Sequence, residues 1–259
     1  MKAVVLKRHR SSNILVVEET TTPHKHADQI RVQVCAVGVN RADVLQRKGL
    51  YNPPPPVRAD ILGLEYVGRV IQGDQNQVWK IGDRVMGIAP GATYAREVVV
   101  HAREAIPVPK HLSDEEAACI PEAFLTAYDA LFQQLGIHIG SRVLIHAIGS
   151  GVGNAALQLS KVAGASVVAT SRTKEKLLKA EEAGADELIL LRPNPNGSVP
   201  EFSKQLSTPV SDVVDFIGAA YLDQNLKSLT LKGKIIIVGL LGGRTCNANL
   251  GLILRKRLS

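Results

Sequence analysis

The sequence has few aromatic residues, few cysteines and no long hydrophobic run. Aromatic residues make up 4% of the chain, which leaves little material for the stacked aromatic platforms that bind single-stranded nucleic acid. The longest purely apolar runs, such as residues 235–238, have the length of a strand, whereas a bilayer-spanning helix needs roughly 20 residues. Only residues 3–6 are apolar before Lys7, too few for a secretory signal. We therefore expect a cytoplasmic protein with no membrane anchor, and nucleic-acid binding is only a minor alternative.

The cysteines and the net charge say little about the function of the protein. Cys35, Cys119 and Cys246 lie far apart without metal-ligand spacing, and an odd number of cysteines does not favour a disulfide framework. We predict that all three are buried thiols. The net charge is +7, and its one dense basic cluster is residues 255–257. A nucleic-acid surface at that cluster is the minor alternative to an anionic small-molecule ligand.

The hydrophobic pattern changes near the middle of the chain. From residue 1 to about 110, short β-branched runs alternate with turn signals, which is typical of a mostly β region. Residues 53–56 are consecutive prolines and predict a rigid, extended loop. Ser113 and Glu116 then have the form of a capping box at a helix start. Beyond them strands alternate with helices, and a proline-rich turn follows a strand at residues 188–191.

This alternation predicts a parallel sheet with right-handed crossovers and helices on both faces. The predicted fold class is α/β, with a mostly β N-terminal domain over residues 1–122 and a doubly wound, Rossmann-type domain over residues 123–259. The helices predicted in the second domain include residues 173–185, 201–206 and 222–229.

A glycine-rich turn separates the first strand of the second half from its helix. Residues 143–147 have the pattern of a strand, and residues 148–153 form a turn that leads into an amphipathic helix. Such a turn lets a pyrophosphate approach the backbone and the amides at the helix N-terminus. The spacing is a variant of G-x-G-x-x-G, because Gly149 and Gly151 are followed by Asn154. We favour dinucleotide binding over the alternative, a crossover turn without a ligand.

The next strand ends without an acidic residue. In NAD-binding folds a carboxylate about 20 residues beyond the glycines binds the ribose hydroxyls. Residues 170–174 contain no carboxylate, and Arg172 and Lys176 are basic. Cations there attract the 2′-phosphate of NADPH, with Ser171 or Thr173 donating hydrogen bonds. The sequence therefore predicts NADPH as the cofactor, and a solvated helix start is the alternative.

Two pairs of stretches carry a specific family resemblance. They are residues 40–56 with 61–70, and residues 120–131 with 144–159. Both pairs are similar to zinc-free quinone oxidoreductases of the zeta-crystallin type in the medium-chain dehydrogenase/reductase superfamily. The most similar subgroup is the tumour-suppressor-inducible NADPH quinone oxidoreductases with their bacterial relatives. The resemblance extends over essentially the whole chain and implies a GroES-like catalytic domain before the Rossmann domain.

The resemblance also implies site residues. Asn40, Asp43 and Tyr51 would lie on the catalytic domain's side of the cleft, with Asn40 and Tyr51 as the catalytic residues and Tyr51 as a proton donor or substrate-positioning group. The cofactor-binding residues would be Asn40, Thr126, Ser150, Gly151, Val152, Gly153, Ser171, Arg172, Lys176, Gly239, Leu240 and Leu241. Leu191 stands where the family often has a tyrosine that stacks on adenine. The residues alone equally allow Asn40 and Asp43 to cap a helix and Tyr51 to pack against prolines.

The ligands of a catalytic zinc are replaced at two positions. Zinc-dependent alcohol dehydrogenases have a cysteine and a histidine where this sequence has Asn40 and Leu64, and neither side chain replaces them around zinc. The resemblance therefore implies zinc-free delivery of a hydride or electrons from NADPH to a quinone or a related electron-poor molecule. The alternatives are an alkenal or enone reductase and a non-catalytic NADPH-binding protein. We interpret His146 as a structural residue rather than a general base.

Family members continue for several elements beyond the position of Ser259. The resemblance therefore implies a C-terminally truncated chain whose Rossmann domain lacks its sixth strand. The family's homodimer forms largely through that edge of the sheet, so dimerisation of this chain stays open.

Overall fold

The computed structural model describes residues 1–9, 12–192 and 198–259. These residues divide into two compact units, Met1–Glu122 and Ala123–Ser259. Among the described residues, no helix combines the length and the apolar character that crossing a lipid bilayer requires. The proline-rich turn predicted after residue 191 falls on residues 193–197, outside the described ranges.

The first unit consists mainly of antiparallel strands, as its β-branched runs predict. Strands β1 (Lys2–His9) and β2 (Ser12–Glu19) pair with each other. Strands β3 (Gln29–Ala36), β4 (Glu65–Gln72), β5 (Arg84–Ile88), β6 (Glu97–His101) and β7 (Ile106–Pro107) form a second sheet in the order β6-β3-β4-β5-β7. Ile30, Val32 and Tyr66 are fully buried between the strands, and they form part of the core of this unit.

Short helical segments lie between or after the strands of the first unit. They are α1 (Arg41–Arg47), a 3-10 turn (Ala102–Glu104) and α2 (Asp114–Ala117). The capping box predicted for α2 is confirmed: Ser113 Oγ accepts from the Glu116 amide at 3.1 Å, and the Glu116 carboxylate accepts from the Ser113 amide at 2.9 Å. The helix ends at Ala117, and the next helix begins at Pro121, where the missing backbone N–H costs no helical hydrogen bond.

The prediction that the three cysteines are buried is wrong, since Cys35, Cys119 and Cys246 are all exposed. The strand period explains Cys35. On β3 the buried residues Ile30 and Val32 share one face, whereas Cys35 lies at the opposite parity and faces away from the core. Burial of a cysteine is a statistical tendency, and the face of a strand overrides it.

The second unit contains a parallel sheet flanked by helices. Its strands β8 (Arg142–Ile145), β9 (Ser166–Ser171), β10 (Glu187–Leu190), β11 (Val210–Asp215) and β12 (Leu229–Ile237) lie in the order β10-β9-β8-β11-β12. The helices are α3 (Pro121–Tyr128), which continues as a π-helix (Asp129–Leu135), α4 (Gly151–Val162), α5 (Lys174–Glu182), α6 (Leu222–Ser228) and α7 (Leu250–Lys256). This architecture confirms the predicted α/β fold class with a Rossmann-type sheet.

One predicted helix is much shorter than expected. Residues 201–206 were expected to be helical, but only a 3-10 turn forms there, Phe202–Lys204. Phe202 is fully buried, so a single turn is enough to place its ring in the core. A segment of six residues also gains little stability from extending that turn into a helix.

The strand order determines where a ligand binds. The chain builds one side of the sheet from β8 outward through β9 to β10, and then returns to place β11 on the other side of β8. In open parallel sheets the crevice outside the carboxyl ends of the strands at such a reversal is the usual ligand site. That position here is the end of β8, directly before the glycine-rich turn.

Candidate functional site

The turn after β8 places a helix N-terminus at the carboxyl end of the central strand. Ser150 is the N-cap of α4, and its Oγ accepts a hydrogen bond from the Gly153 amide at 3.1 Å. Gly153 is buried, and a Cβ there would lie 2.7 Å from the Ala147 carbonyl oxygen. Only glycine lets the helix pass this close to the strand end. The amides of Gly151 and Val152 have no acceptor within the helix, so they are free to bind an anion.

A cavity of about 540 Å³ lies beside this turn, within the second unit. Its wall comes from the carboxyl ends of several strands of the sheet. The lining residues are Ala147, Gly149, Ser150, Thr170, Ser171, Arg172, Thr173, Lys176, Leu191, Ile217, Ala220, Tyr221, Leu241 and Gly242. Among the described residues, this lining contains two cationic side chains and no carboxylate. An anionic ligand is therefore the class of ligand that the cavity favours.

The glycine turn and the cations are packed together. A Cβ at Gly149 would overlap the aliphatic stem of Lys176, so this glycine allows a lysine to lie across the turn. Arg172 and Lys176 are both exposed, and within the described ranges neither forms an ion pair with a carboxylate. Ser171 is buried and its Oγ accepts from the Thr173 amide at 3.2 Å. Among the described residues, no carboxylate therefore competes with an anionic ligand for either cation.

The first unit brings Asn40 together with two buried carboxylates. Asn40 is the N-cap of α1, and its backbone amide donates to Asp43 Oδ2 at 2.7 Å. Its side-chain amide donates to Glu65 Oε1 at 2.6 Å, while the Tyr94 hydroxyl donates to Asp43 Oδ2 at 3.0 Å. The structure therefore shows Asn40 and Asp43 in the helix-capping arrangement. Tyr51 lies in the loop after α1 and is 43% exposed.

Burial changes the titration of the acidic groups in this cluster. Burial raises the pKa of Glu65, while hydrogen bonds from the Glu122 amide, at 2.9 Å, and from Asn40 oppose the change. Burial also raises the pKa of Glu122, and the negative charges of Glu65 and Asp43 add to that increase. The space around Glu65 is tight, because a Cβ at Gly38 would overlap its carboxylate. These groups therefore hold protons more readily than surface carboxylates do.

Comparison with known proteins gives the family. Residues 26–110 match the family model described as an alcohol dehydrogenase GroES-like domain, and residues 151–259 match the one described as a zinc-binding dehydrogenase. The chain is 30% identical over 254 residues to quinone oxidoreductase-like protein 2 of Bos taurus, a match that covers 95% of this chain and 70% of the relative. The chain belongs to the medium-chain dehydrogenase/reductase superfamily.

Solved structures of this oxidoreductase superfamily share the fold over the whole chain. The quinone oxidoreductase of Thermus thermophilus matches with a TM-score of 0.80 at 30% identity, covering 100% of this chain and 78% of that chain. The CurK enoyl reductase matches with a TM-score of 0.82 at 27% identity, covering 99% of this chain and 79% of that chain. The predicted combination of a GroES-like domain with a Rossmann-type domain is confirmed.

The superfamily fold brings most of the predicted cofactor residues together. Those that line the cavity are Ser150, Ser171, Arg172, Lys176 and Leu241. The first turn of α4, directly after the turn that lines the cavity, contains Gly151, Val152 and Gly153. The others lie outside the cavity lining: Thr126, half-buried on α3, Gly239 and Leu240, directly before Leu241, and Asn40, in the first unit. Tyr51, predicted as a catalytic residue, also lies in the first unit.

Sequence reasoning missed one wall of the cavity. Ile217, Ala220 and Tyr221 line it, and all three follow β11 in the chain. Because β11 is the neighbour of β8 across the reversal of strand order, the loop at its carboxyl end faces the same crevice. The sequence did contain a usable signal, because these residues directly follow the fourth predicted strand of the second domain.

A buried histidine lies behind this wall. His146 is fully buried, with Nδ1 2.8 Å from Thr170 Oγ1 and Nε2 2.7 Å from Asn225 Oδ1. Burial lowers the pKa of His146 to about 4, so the ring is neutral at pH 7. These contacts are those of a hydrogen-bonded structural residue, as the sequence predicted.

Proposed function

We propose that this chain is a zinc-independent oxidoreductase that uses NADPH to reduce quinones. The observation that carries the proposal is the cavity in the second unit, where the described lining combines a glycine-lined helix N-terminus with two cations and no carboxylate. A diphosphate with a further phosphomonoester is the ligand that this combination favours. The Thermus thermophilus neighbour, a quinone oxidoreductase with a described NADPH complex, supports the same assignment.

The residues of the cavity fit NADPH group by group. Ser150 and the first turn of α4 would hold the pyrophosphate, as backbone amides at a helix N-terminus do. Arg172 and Lys176 would bind the 2′-phosphate, assisted by Ser171. Leu241, together with Gly239, Leu240 and Thr126, would contact the nicotinamide end. When bound, NADPH supplies the hydride, and the chain contributes binding, orientation and exclusion of water.

Asn40 and Tyr51 are the proposed residues on the acceptor side. The side-chain amide of Asn40 is fixed by its hydrogen bond to Glu65, and its second N–H would donate to a carbonyl or quinone oxygen. Tyr51 has an exposed ring in a loop, where its hydroxyl would position the acceptor or supply a proton to it. Reduction of a quinone by a hydride also takes up one proton, so a proton donor belongs to the site.

The donor set at the position of a catalytic zinc does not fit the metal. Asn40 directs its amide nitrogen at Glu65, and Leu64 is a buried aliphatic residue with no ligand atom. Over the described ranges, His, Cys, Asp and Glu side chains form no group of three or more suited to a metal ion. Zinc prefers thiolate and imidazole ligands, and neither Asn40 nor Leu64 provides one, which supports a zinc-independent reaction.

A second candidate function is reduction of the double bond in an α,β-unsaturated carbonyl. The similarity to the CurK enoyl reductase favours it, because the same fold delivers a hydride to either acceptor. A chain that binds NADPH without turnover is the non-catalytic alternative. We propose a quinone or a related electron-poor small molecule as the partner of the active site.

Initial rates distinguish these functions. We expect NADPH oxidation by the purified chain to be several-fold faster with a benzoquinone than with an enal, and faster with NADPH than with NADH at equal concentration. A higher rate with the enal would support the second candidate instead. NADPH binding without oxidation by either acceptor would contradict both enzymatic functions.

A further inference from the structure

The cavity has an apolar part that lacks the expected aromatic residue. Leu191 follows β10 and is 2% exposed within the lining. It offers an aliphatic surface, whereas purine bases bind most strongly to a flat aromatic face. The lining has a single aromatic side chain among the described residues, Tyr221, which is half-buried at the start of α6.

Tyr221 is held in place by two other rings. Its ring centroid lies 5.0 Å from that of His146 at an interplanar angle of 71°, and 5.3 Å from that of Phe202 at 55°. His146 and Phe202 also contact each other, at 5.1 Å and 70°. These are the edge-to-face and tilted geometries that aromatic pairs prefer. His146 and Phe202 are fully buried, so Tyr221 rests on a rigid support.

A directional chain of hydrogen bonds fixes the support. The Asp215 carboxylate accepts from the Asn225 side-chain amide at 3.1 Å and from the Ile217 amide at 2.7 Å. Since the Asn225 nitrogen faces Asp215, its oxygen faces His146 Nε2, which must therefore carry the ring proton. His146 Nδ1 then accepts from the Thr170 hydroxyl. Every donor has one direction, so the histidine ring has one orientation.

Tyr221 and Arg172 are neighbours in the same cavity. Both residues line it, and the positive charge of Arg172 opposes the increase that burial causes in the pKa of Tyr221. Arg172 is the proposed ligand of the adenosine 2′-phosphate. In the proposed complex, the phosphomonoester at Arg172 and the base at Tyr221 would occupy the one cavity that both residues line.

We propose that Tyr221 binds the adenine base, taking the place of the aromatic residue that is absent at Leu191, with its ring packed against His146 and Phe202. This inference rests on the proposed function, since it assumes that the cavity holds the adenosine end of NADPH. The proposed adenine-binding residue follows β11, whereas Leu191 follows β10.

Adenosine 2′,5′-bisphosphate is the probe, because it carries the base and the 2′-phosphate without the nicotinamide. We expect Tyr221→Leu to weaken its binding about tenfold in calorimetric titrations, the loss that corresponds to one stacked base. Tyr221→Phe keeps the ring and is expected to bind as the wild type does. The adenine absorbance of the probe should fall on binding to the wild type and to Tyr221→Phe, which is the signature of stacking.

Several results would overturn the inference. Unchanged affinity in Tyr221→Leu would show that the ring does not bind the base. An equal loss in Tyr221→Phe would assign the effect to the hydroxyl. Absence of the absorbance change in the wild type would decide against stacking without any variant, even where Tyr221→Leu folds poorly. If the wild type binds neither this probe nor NADPH, the proposed function itself fails.

Discussion

His146 shows how burial sets the chemistry of a single residue. Its two ring nitrogens are satisfied by Thr170 and Asn225, and burial lowers the pKa to about 4 from an ordinary value of 6.5. A protonated ring would have no acceptor at Nδ1 other than a hydroxyl that already donates to it. The neutral form is therefore part of the fold, and general acid–base chemistry near pH 7 does not suit this residue.

The first prediction concerns the pH dependence of stability. Between pH 6.5 and 4 the unfolded chain binds a proton at His146 that the folded chain does not, so folding stability should fall as the pH decreases through this window. The loss is roughly 3 kcal/mol at most. Urea unfolding of the wild type and of His146→Gln, which keeps a donor and an acceptor but does not titrate, measures the contribution.

We expect the slope of stability against pH to be smaller in His146→Gln than in the wild type over that window. His24→Gln, at an exposed loop histidine, is the matched control and should keep the wild-type slope. The assignment of the slope to His146 would be contradicted if both variants behaved as the wild type.

At the residue scale, local charge was predictable and distant contacts were not. Arg172 and Lys176 follow the second strand within one turn, so the sequence alone places both beside the ligand site. Tyr221 reaches the same cavity only because β11 lies next to β8. Its partners His146 and Phe202 are separated from it by 75 and 19 positions in the sequence, and no local pattern records that contact.

The N-terminus of α4 is the element on which the proposed phosphate site depends. Ser150 caps it, and the amides after Ser150 point out of the helix end. Capping and anion binding are separable properties, because aspartate is as good an N-cap as serine but carries a negative charge.

The second prediction separates these properties at α4. Ser150→Ala removes the acceptor for the Gly153 amide and should destabilise the fold by about 1 kcal/mol, measured by urea unfolding. Ser150→Asp should keep wild-type stability yet weaken NADPH binding more than Ser150→Ala does, because its carboxylate repels the pyrophosphate. Undiminished NADPH affinity in Ser150→Asp would show that the phosphates bind elsewhere.

At the element scale, the strands and the longer helices of the second unit follow from the hydrophobic period. The prediction failed for short elements. Within residues 201–206 only a 3-10 turn forms, Phe202–Lys204. For α1 (Arg41–Arg47), the sequence alone did not decide whether Asn40 caps a helix. Helices of one or two turns are marginal by propensity and depend on tertiary contacts, here the burial of Phe202 and the hydrogen bonds around Asp43. Such contacts are not visible in a sequence window.

For the whole molecule, the distribution of the net charge of +7 matters more than its size. The basic cluster at residues 255–257 is partly structural, because Lys256 Nζ donates to the carbonyl oxygens of Leu226, Lys227 and Leu229 at 2.6 to 3.0 Å. This lysine closes the C-terminal end of α6 rather than facing a partner. The unpaired cations in the cavity are a better explanation for an anionic ligand than the terminal cluster is.

The most direct test of the proposed NADPH site is a fluorescence titration of NADPH and NADH against the whole chain and two charge variants. The wild type should bind NADPH more tightly than NADH. Arg172→Ala with Lys176→Ala should weaken NADPH by at least about tenfold and leave NADH nearly unchanged, because charge-assisted hydrogen bonds to the 2′-phosphate are lost. Lys174→Ala with Lys179→Ala removes the same charge from α5 outside the cavity lining and should bind both nucleotides as the wild type does. Equal losses of NADPH and NADH in the first variant, or no binding of either nucleotide by the wild type, would contradict the account.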